Sequence, residues 1–316
     1  MMDECVSKPD PAGDGTRSAR VRPGAVSVSG SQLFEIVMYV LFLLCGLIAV
    51  GFVCFISVYL IWSGLPAIRE IGLMDFLFGK TWASTAAVPE FGILPFILTS
   101  IYGTAGAIVI GVPVGFMTAV FLAKVAPPRL AAVVRPAVDL LAGIPSVVYG
   151  LIGMMVLVPA VREWFHLPDG ASLFAAIIVL AIMILPSIIS VSETALKAVP
   201  REYEEASLAL GATHIETVFR VSVPAASSGI AASVVLGIGR AIGEAMAIMM
   251  VAGNVANMPS LFKSVRFLTT AVASEMSYAA VGSLQRQALF SIALVLFLFI
   301  MLINVALNAL LKRKTD

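Results

Sequence analysis

Two ionisable residues sit where their neighbours exclude charge. Arg240 and Glu244 interrupt an otherwise apolar stretch from about Pro224 to Gly253. An ionised group in the middle of a membrane helix costs at least about 2.5–3.5 kcal/mol on insertion scales, so it persists only where it is paired, hydrated or used. Counted from Pro224, Arg240 lies about 24 Å along a helix rising 1.5 Å per residue, too deep for a membrane-edge anchor. The i, i+4 spacing puts both groups on one face, and Ser233 and Gly237 extend that face backwards. One chemistry open to such a stripe is an intramembrane salt bridge that fixes helix packing. The other is an anion pathway, in which the guanidinium supplies fixed charge and a planar donor fork suited to oxyanions. In a pathway, Glu244 would hold Arg240 in place, temper its attraction so that the anion can leave, or select a protonated anion.

A second constellation lies outside the apolar runs. From Glu193 to Arg220 the chain carries eight charges and keeps a helix-forming composition on both sides of Gly211. Gly211 is a natural helix stop, after which Ala212 and Thr213 restart a helix with Ile215, Val218 and Phe219 at helical spacing. The stretch 193–223 thus reads as a helical hairpin. Its apolar side is expected to cover the chain's own spans, leaving Glu202, Glu204 and Glu205 free for a partner, as in a docking element.

The elements that position these residues follow from composition. Of 316 residues 60% are apolar and 12% charged, and the mean hydropathy is +1.02. Long charge-free runs of this kind are helices in a bilayer, since hydrocarbon leaves no backbone group unpaired, and the runs are too long for barrel strands. Spans are expected at 33–62, within Phe91–Ala123, Leu140–Val161, Gly170–Ser192 and Pro224–Gly253, and within Gln287–Leu311, giving an all-α polytopic protein of six transmembrane helices. Residues 1–32 read as a disordered tail, 63–90 as an extracytoplasmic loop, 91–311 as the core and 312–316 as a basic end. The side carrying both termini holds 13 Lys and Arg and the other side 6, so the termini are expected in the cytoplasm. A formal net charge of +1 excludes bulk attraction for nucleic acid. The three cysteines and two histidines form no metal-site pattern, and no metal or cofactor is expected. Gly79-Lys80-Thr81 copies the end of a phosphate-binding loop, but Met74 stands where that loop needs Gly, so the chain is not expected to hydrolyse ATP.

The hairpin carries a resemblance. Glu205-Ala206-Ser207, three residues, Gly211, nine residues, then Val221-Ser222-Val223-Pro224 resembles the EAA loop of ABC importer permeases, with Ser207 in place of an Ala and Val in both aliphatic positions. Leu140-Leu141-Ala142-Gly143-Ile144-Pro145-Ser146 and Gly237-Ile238-Gly239-Arg240-Ala241-Ile242-Gly243-Glu244 are similar to the phosphate-specific permeases of the PstC type, in which Thr commonly stands where this chain has Ala245. The resemblance implies a type I ABC importer permease-like bundle in a bacterial inner membrane. Its hairpin would dock on an ATP-binding subunit through Glu205 and Gly211, with Ala206 and the neighbouring Glu204. It also implies a second permease of the PstA type, an ATP-binding subunit dimer and an extracytoplasmic phosphate-binding protein, with inorganic phosphate moved along the Arg240 face. A permease for another oxyanion, sulfate or molybdate, and a self-sufficient secondary transporter or channel are the alternatives.

The charge asymmetry makes a direct prediction about topology. A cysteine placed near Lys197 should label only from the cytoplasm and one near Lys263 only from outside, as read with a membrane-impermeant maleimide on intact cells. Outside labelling at Lys197 would overturn both the orientation and the docking role.

Overall fold

In the computed structural model, which describes the backbone of residues 30–315 and the side chains of residues 34–306 and 309, the chain is helical along nearly its whole length. Of the tail expected over 1–32, residues 1–29 lie outside the described residues, as do the side chains of the basic end. The chain divides after Phe55 into two units. The first contains the opening of α1 (Gly30–Ile71), whose side chains from Phe34 on are largely exposed. A helix surface of Phe, Leu, Ile and Val this continuous suits hydrocarbon rather than water. In the second unit α1 runs past Trp62 and Pro66 to Ile71, so the first part of the expected 63–90 loop is helical. It is followed by α2 (Leu73–Phe78) and a short antiparallel pair, β1 (Trp82–Ala83) and β2 (Glu90–Phe91), with Trp82 opposite Phe91.

The remaining helices are α3 (Leu94–Val120), α4 (Pro128–Gly143), α5 (Ser146–Ile152), α6 (Val158–Trp164) and α7 (Leu173–Lys197). After them come α8 (Arg201–Ala209), α9 (His214–Thr217), α10 (Val223–Ala225), α11 (Ser227–Gly243), α12 (Met246–Val251), α13 (Leu268–Glu275) and α14 (Leu284–Thr315). The most deeply covered span is α7, with Leu180, Met183, Ile184, Ile188 and Leu196 fully buried. Its closest neighbour is α3, because Gly111 and Gly115 remove the side chains that would hold the two helices apart. A Cβ at Gly111 would stand 2.6 Å from Cδ1 of Ile184, and one at Gly115 would stand 3.0 Å from Cγ2 of Ile188. Gly239 and Gly243, the other small pair, have nothing within 4 Å of such an added atom.

Prolines explain most of the irregularity. Three π-helical turns, Phe121–Val125, Gly153–Leu157 and Val218–Ser222, are each followed two residues later by a proline: Pro127, Pro159 and Pro224. In each, the last N–H before the proline reaches back five residues: Ala126 to the Phe121 carbonyl, Val158 to Gly153 and Val223 to Val218. A proline offers no N–H and its ring presses on the carbonyl four residues back, and a wider turn ahead of it relieves both problems. Pro145 acts differently. It forces Ile144 into an extended conformation (φ −69°, ψ 127°), so the expected span Leu140–Val161 is two helices, and α4 is a separate element. The Tyr149 hydroxyl closes this break by donating to the Leu141 carbonyl at 2.6 Å.

Among the described residues five helices are long and apolar enough to cross a membrane. A sixth crossing results if the segment His214–Ala225 and α11, bent by 71° at their junction, are taken together. The fifth expected span differs most from expectation: it is not one helix from Pro224 to Gly253 but α11, a break at Glu244–Ala245, and α12.

Because the α3–α7 contact is set by missing side chains, Gly111→Leu should cost about 1–3 kcal/mol of packing and reduce the protein found in the membrane. Gly46→Leu on α1, where nothing lies within 4 Å, should leave it unchanged. Immunoblots of membranes at matched expression check the difference.

Candidate functional site

The hairpin forms through two local signals. Gly211 adopts φ +90°, its N–H donates to the Leu208 carbonyl at 2.9 Å, and the Ala212 N–H donates to the Ser207 carbonyl at 3.3 Å. These two bonds close the end of α8 in the manner of a Schellman motif, which needs the left-handed conformation that glycine adopts without strain. Thr213 then opens α9 with a capping box: its hydroxyl accepts the Glu216 N–H at 3.3 Å, and the Glu216 carboxylate accepts the Thr213 N–H at 3.0 Å. The hydroxyls of Ser207 and Thr217 meet at 2.9 Å and tie the two arms together.

The faces of this hairpin are not arranged as the sequence suggests. Glu202 and Glu205 are exposed together with Ala206, but Glu204 turns inward, where its Oε1 accepts from Lys124 Nζ and, at 2.8 Å, from the Ser222 hydroxyl. Conversely Leu208, Leu210, Ile215 and Phe219 are exposed, and only Val218 of the expected apolar face is buried, beside Val120, Leu196 and Val199. The outer surface is therefore apolar with acidic neighbours, and Glu204 is internal. Burial alone would push the Glu204 carboxyl up. The hydrogen bonds from Lys124 and Ser222, with the charges of Lys124 and His214, outweigh it and hold the group below its ordinary value of 4.5.

A second ionic cluster lies nearby. The Glu193 carboxylate accepts from Arg135 Nε and Lys197 Nζ, both at 2.6 Å, and joins α4 to α7. Arg135 also donates to the Leu122 carbonyl at 3.2 Å. That carbonyl needs a donor from elsewhere, because the Ala126 N–H is committed to Phe121 and Pro127 has none.

Ser233, Gly237 and Arg240 do share one face of α11, and that face is turned to α7. The Ser233 hydroxyl meets the Ser192 hydroxyl at 2.7 Å, a Cβ on Gly237 would stand 3.1 Å from Cγ1 of Ile188, and Arg240 Nη1 donates to the Ser187 hydroxyl at 3.4 Å. Ser233 and Gly237 are buried in this contact, whereas Arg240 is half-buried. The expected pairing of Arg240 with Glu244 is absent: among the described residues Arg240 joins no ion pair. The i, i+4 argument presumes an unbroken helix, and α11 ends at Gly243, with Glu244 extended at ψ 130°. Glu244 serves the break instead. Its carboxylate accepts the Ala247 N–H at 3.0 Å, which caps α12, and its carbonyl accepts the Thr269 hydroxyl at 2.7 Å. Ala245, at the cap position of α12, has no side chain that could do this.

Sequence reasoning missed Lys124, Ser187 and Ser222, and also a buried carboxylate at the other end of the bundle. Glu275, 3% exposed, accepts from Trp82 Nε1 at 2.9 Å, Ser84 at 3.0 Å, Gln285 at 3.1 Å and Arg266. Arg266 also donates twice to the Asn254 carbonyl, at 3.0 and 2.8 Å. These partners lie up to 193 positions apart and no periodicity links them, so no local pattern could have found them.

A helical membrane bundle with interrupted spans and a polar hairpin between them is the architecture of a type I ABC importer permease. Solved structures agree at the level of fold. A bacterial alginate ABC transporter, crystallised in complex with a pentasaccharide-bound periplasmic protein, matches with a TM-score of 0.58 at 15% identity, covering 90% of this chain and 97% of that one. The MetNI methionine ABC transporter in an inward-facing conformation gives 0.53 at 22% identity, covering 71% and 95%. Residues 111–316 match the family model for binding-protein-dependent transport system inner membrane components, and the chain belongs to that family. It is thus a multi-pass inner membrane component, and its relatives are permeases, not ATPases. The probable ABC transporter permease protein YqgH of Bacillus subtilis is 39% identical over 280 residues, covering 86% of this chain and 91% of that protein. The phosphate transport system permease protein PstC of Haemophilus influenzae is 40% identical over 215 residues, covering 61% and 68%. PstC 2 of Mycobacterium tuberculosis is 30% identical over the full length of both chains.

The Glu204 environment has a pH signature. A carboxyl held below its ordinary value contributes stability that is complete above that value and disappears as pH falls through the lowered one. Protection of the 201–222 amides, measured by hydrogen exchange and corrected for intrinsic rates, should therefore stay constant from pH 7 to about 5 and decline below about 4. In Glu204→Gln it should be reduced near neutral pH to about the level the wild type reaches in acid, and should lose this dependence.

Proposed function

We propose that the chain is the PstC-type permease subunit of an ATP-driven importer, and that its cargo is inorganic phosphate. The observation that carries this reading is Arg240. A half-buried guanidinium in the fifth span, whose one hydrogen bond among the described residues is a long one to Ser187, keeps charge and donors available to an anion. The lack of an ion pair between it and Glu244 among the described residues supports this reading over a packing salt bridge. The phosphate permeases among the relatives support phosphate over sulfate or molybdate.

In this reading Glu244 works at one remove, by holding the α11–α12 break open beside Arg240. Ser233 and Gly237 set the distance between α11 and α7 and so fix where Arg240 stands. The hairpin at 193–223 faces the cytoplasm with both termini, and docks on one member of an ATP-binding subunit dimer through Glu205, Ala206 and the turn at Gly211. The exposed Leu210 at its tip supplies the apolar part of that contact. A second permease of the PstA type completes the pathway, and an extracytoplasmic phosphate-binding protein delivers cargo to the opposite face. Closure of the ATP-binding dimer moves the hairpins and alternates access.

Uptake of radiolabelled phosphate by the reconstituted complex tests the cargo, with sulfate and molybdate as competitors. A charged hydrogen bond is worth about 1.5–3 kcal/mol, so Arg240→Ala should reduce phosphate uptake about 10- to 100-fold while the complex stays assembled. Arg240→Lys, which keeps the charge but loses the fork, should fall between it and the wild type. Uptake unchanged in Arg240→Ala would reject Arg240 as a pathway residue, and competition by sulfate or molybdate stronger than by phosphate itself would reassign the cargo.

A further inference from the structure

The inward turn of Glu204 separates two adjacent acidic residues that the sequence presents as equivalents. Glu205 is exposed on the outer surface of the hairpin. Glu204 is bound to Lys124, which lies in the π-helical turn ending α3, and to Ser222, the last residue of the π-helical turn in the second arm. One carboxylate thereby joins α3, the first arm and the second arm. The ion pair is partly withdrawn from water, with side chains 11% and 23% exposed for Lys124 and Glu204.

We propose that the Lys124–Glu204–Ser222 cluster is the joint through which displacement of the hairpin is delivered to α3, with Glu204 a positioning residue and not a contact to the ATP-binding subunit. The geometry of α8 carries the argument. This helix buries no side chain, so no fully packed apolar side chain of its own carries a push on the hairpin to the spans. The second arm does have one, through Val218, but α8 is fastened to that arm and to α3 by polar contacts: Ser207 to Thr217, and Glu204 to Ser222 and Lys124. Directional charge-assisted bonds resist displacement along their axes, whereas a solvated loop does not. On the α3 side, Lys124 stands next to the Pro127 break, where the helix has already given up its regular hydrogen bonding. Movement delivered at that position turns the end of α3 against α7 without breaking a regular helical bond.

The inference rests on the reading of the hairpin as the docking element, and its test separates the two. The full complex of both permeases, the ATP-binding subunits and the binding protein is reconstituted in proteoliposomes. Two quantities are measured: the ATP-binding subunit that copurifies with the chain, and the phosphate taken up per ATP hydrolysed. Lys124→Met and Glu204→Gln should both retain the ATP-binding subunit, while phosphate moved per ATP falls about tenfold, as expected for the loss of a partly buried pair. The double variant should be no worse than either single one, because both remove the same joint. If either ion-pair variant accumulates poorly, Ser222→Ala is read instead and should lower the ratio about two- to threefold.

An unchanged ratio, or losses that multiply in the double variant, would overturn the joint. Loss of the ATP-binding subunit from Glu204→Gln would overturn it too, by making Glu204 a docking residue. A wild-type chain that does not retain the ATP-binding subunit would refute the docking reading itself and the joint with it. A wild-type complex that hydrolyses ATP and moves sulfate or molybdate in place of phosphate would refute only the cargo, and the same ratios taken with that anion decide the joint.

Discussion

In hydrocarbon every backbone N–H and C=O must find its partner within the protein, and the form of this bundle depends on how that requirement is met wherever a helix is interrupted. At Pro159 and Pro224 the chain widens into a π-helical turn and continues, and at Pro127 the same device ends α3. At Pro145 the helix stops and a tyrosine hydroxyl bridges the gap. At Gly243 it stops again, and Glu244 supplies an acceptor to the new helix while its own carbonyl is covered by Thr269. Each interruption is thus a local solution to one accounting problem, and together they place polar groups at depths where an unbroken helix would present only side chains.

The break at Glu244 also changes what its neighbour can do. On a continuous helix Arg240 and Glu244 would neutralise one another, and a neutral pair attracts no anion. With the carboxylate diverted to capping, the guanidinium keeps its charge and leans on Ser187 of α7, the span most firmly held by its surroundings. In the proposed pathway a fixed charge beside an interruption serves an anion better than one embedded in packed helices, because it is held in place without being spent.

Charges are concentrated at the two ends of the bundle, and each end uses them to join segments remote in sequence. At one end Glu204 and Glu193 connect the hairpin, α3, α4 and α7. At the other Glu275 gathers β1, the approach to α13 and the start of α14 around one buried carboxylate with four donors. Removing one partner of such a group leaves an uncompensated charge, so these clusters fix geometry more than they add net stability.

The sequence by itself determined the class and the local punctuation. Charge-free runs located the spans because a bilayer tolerates little else. Gly211 marked the turn of the hairpin because few other residues accept a positive φ, and Thr213 marked the restart, which a capping box with Glu216 completes. The four-residue spacing of Gly111 and Gly115 permits a close helix approach but does not name its partner, which the fold supplies as α7. Tertiary structure alone decided which side of the hairpin faces inward, since the choice between Glu204 and Glu205 depends on Lys124, eighty positions away. It also placed Thr269, twenty-five positions on, where its hydroxyl covers the Glu244 carbonyl at the break that ends α11 at Gly243. Spacing along a chain reports which residues share a face only while the helix continues, and whether it continues is settled by groups that the local sequence does not contain.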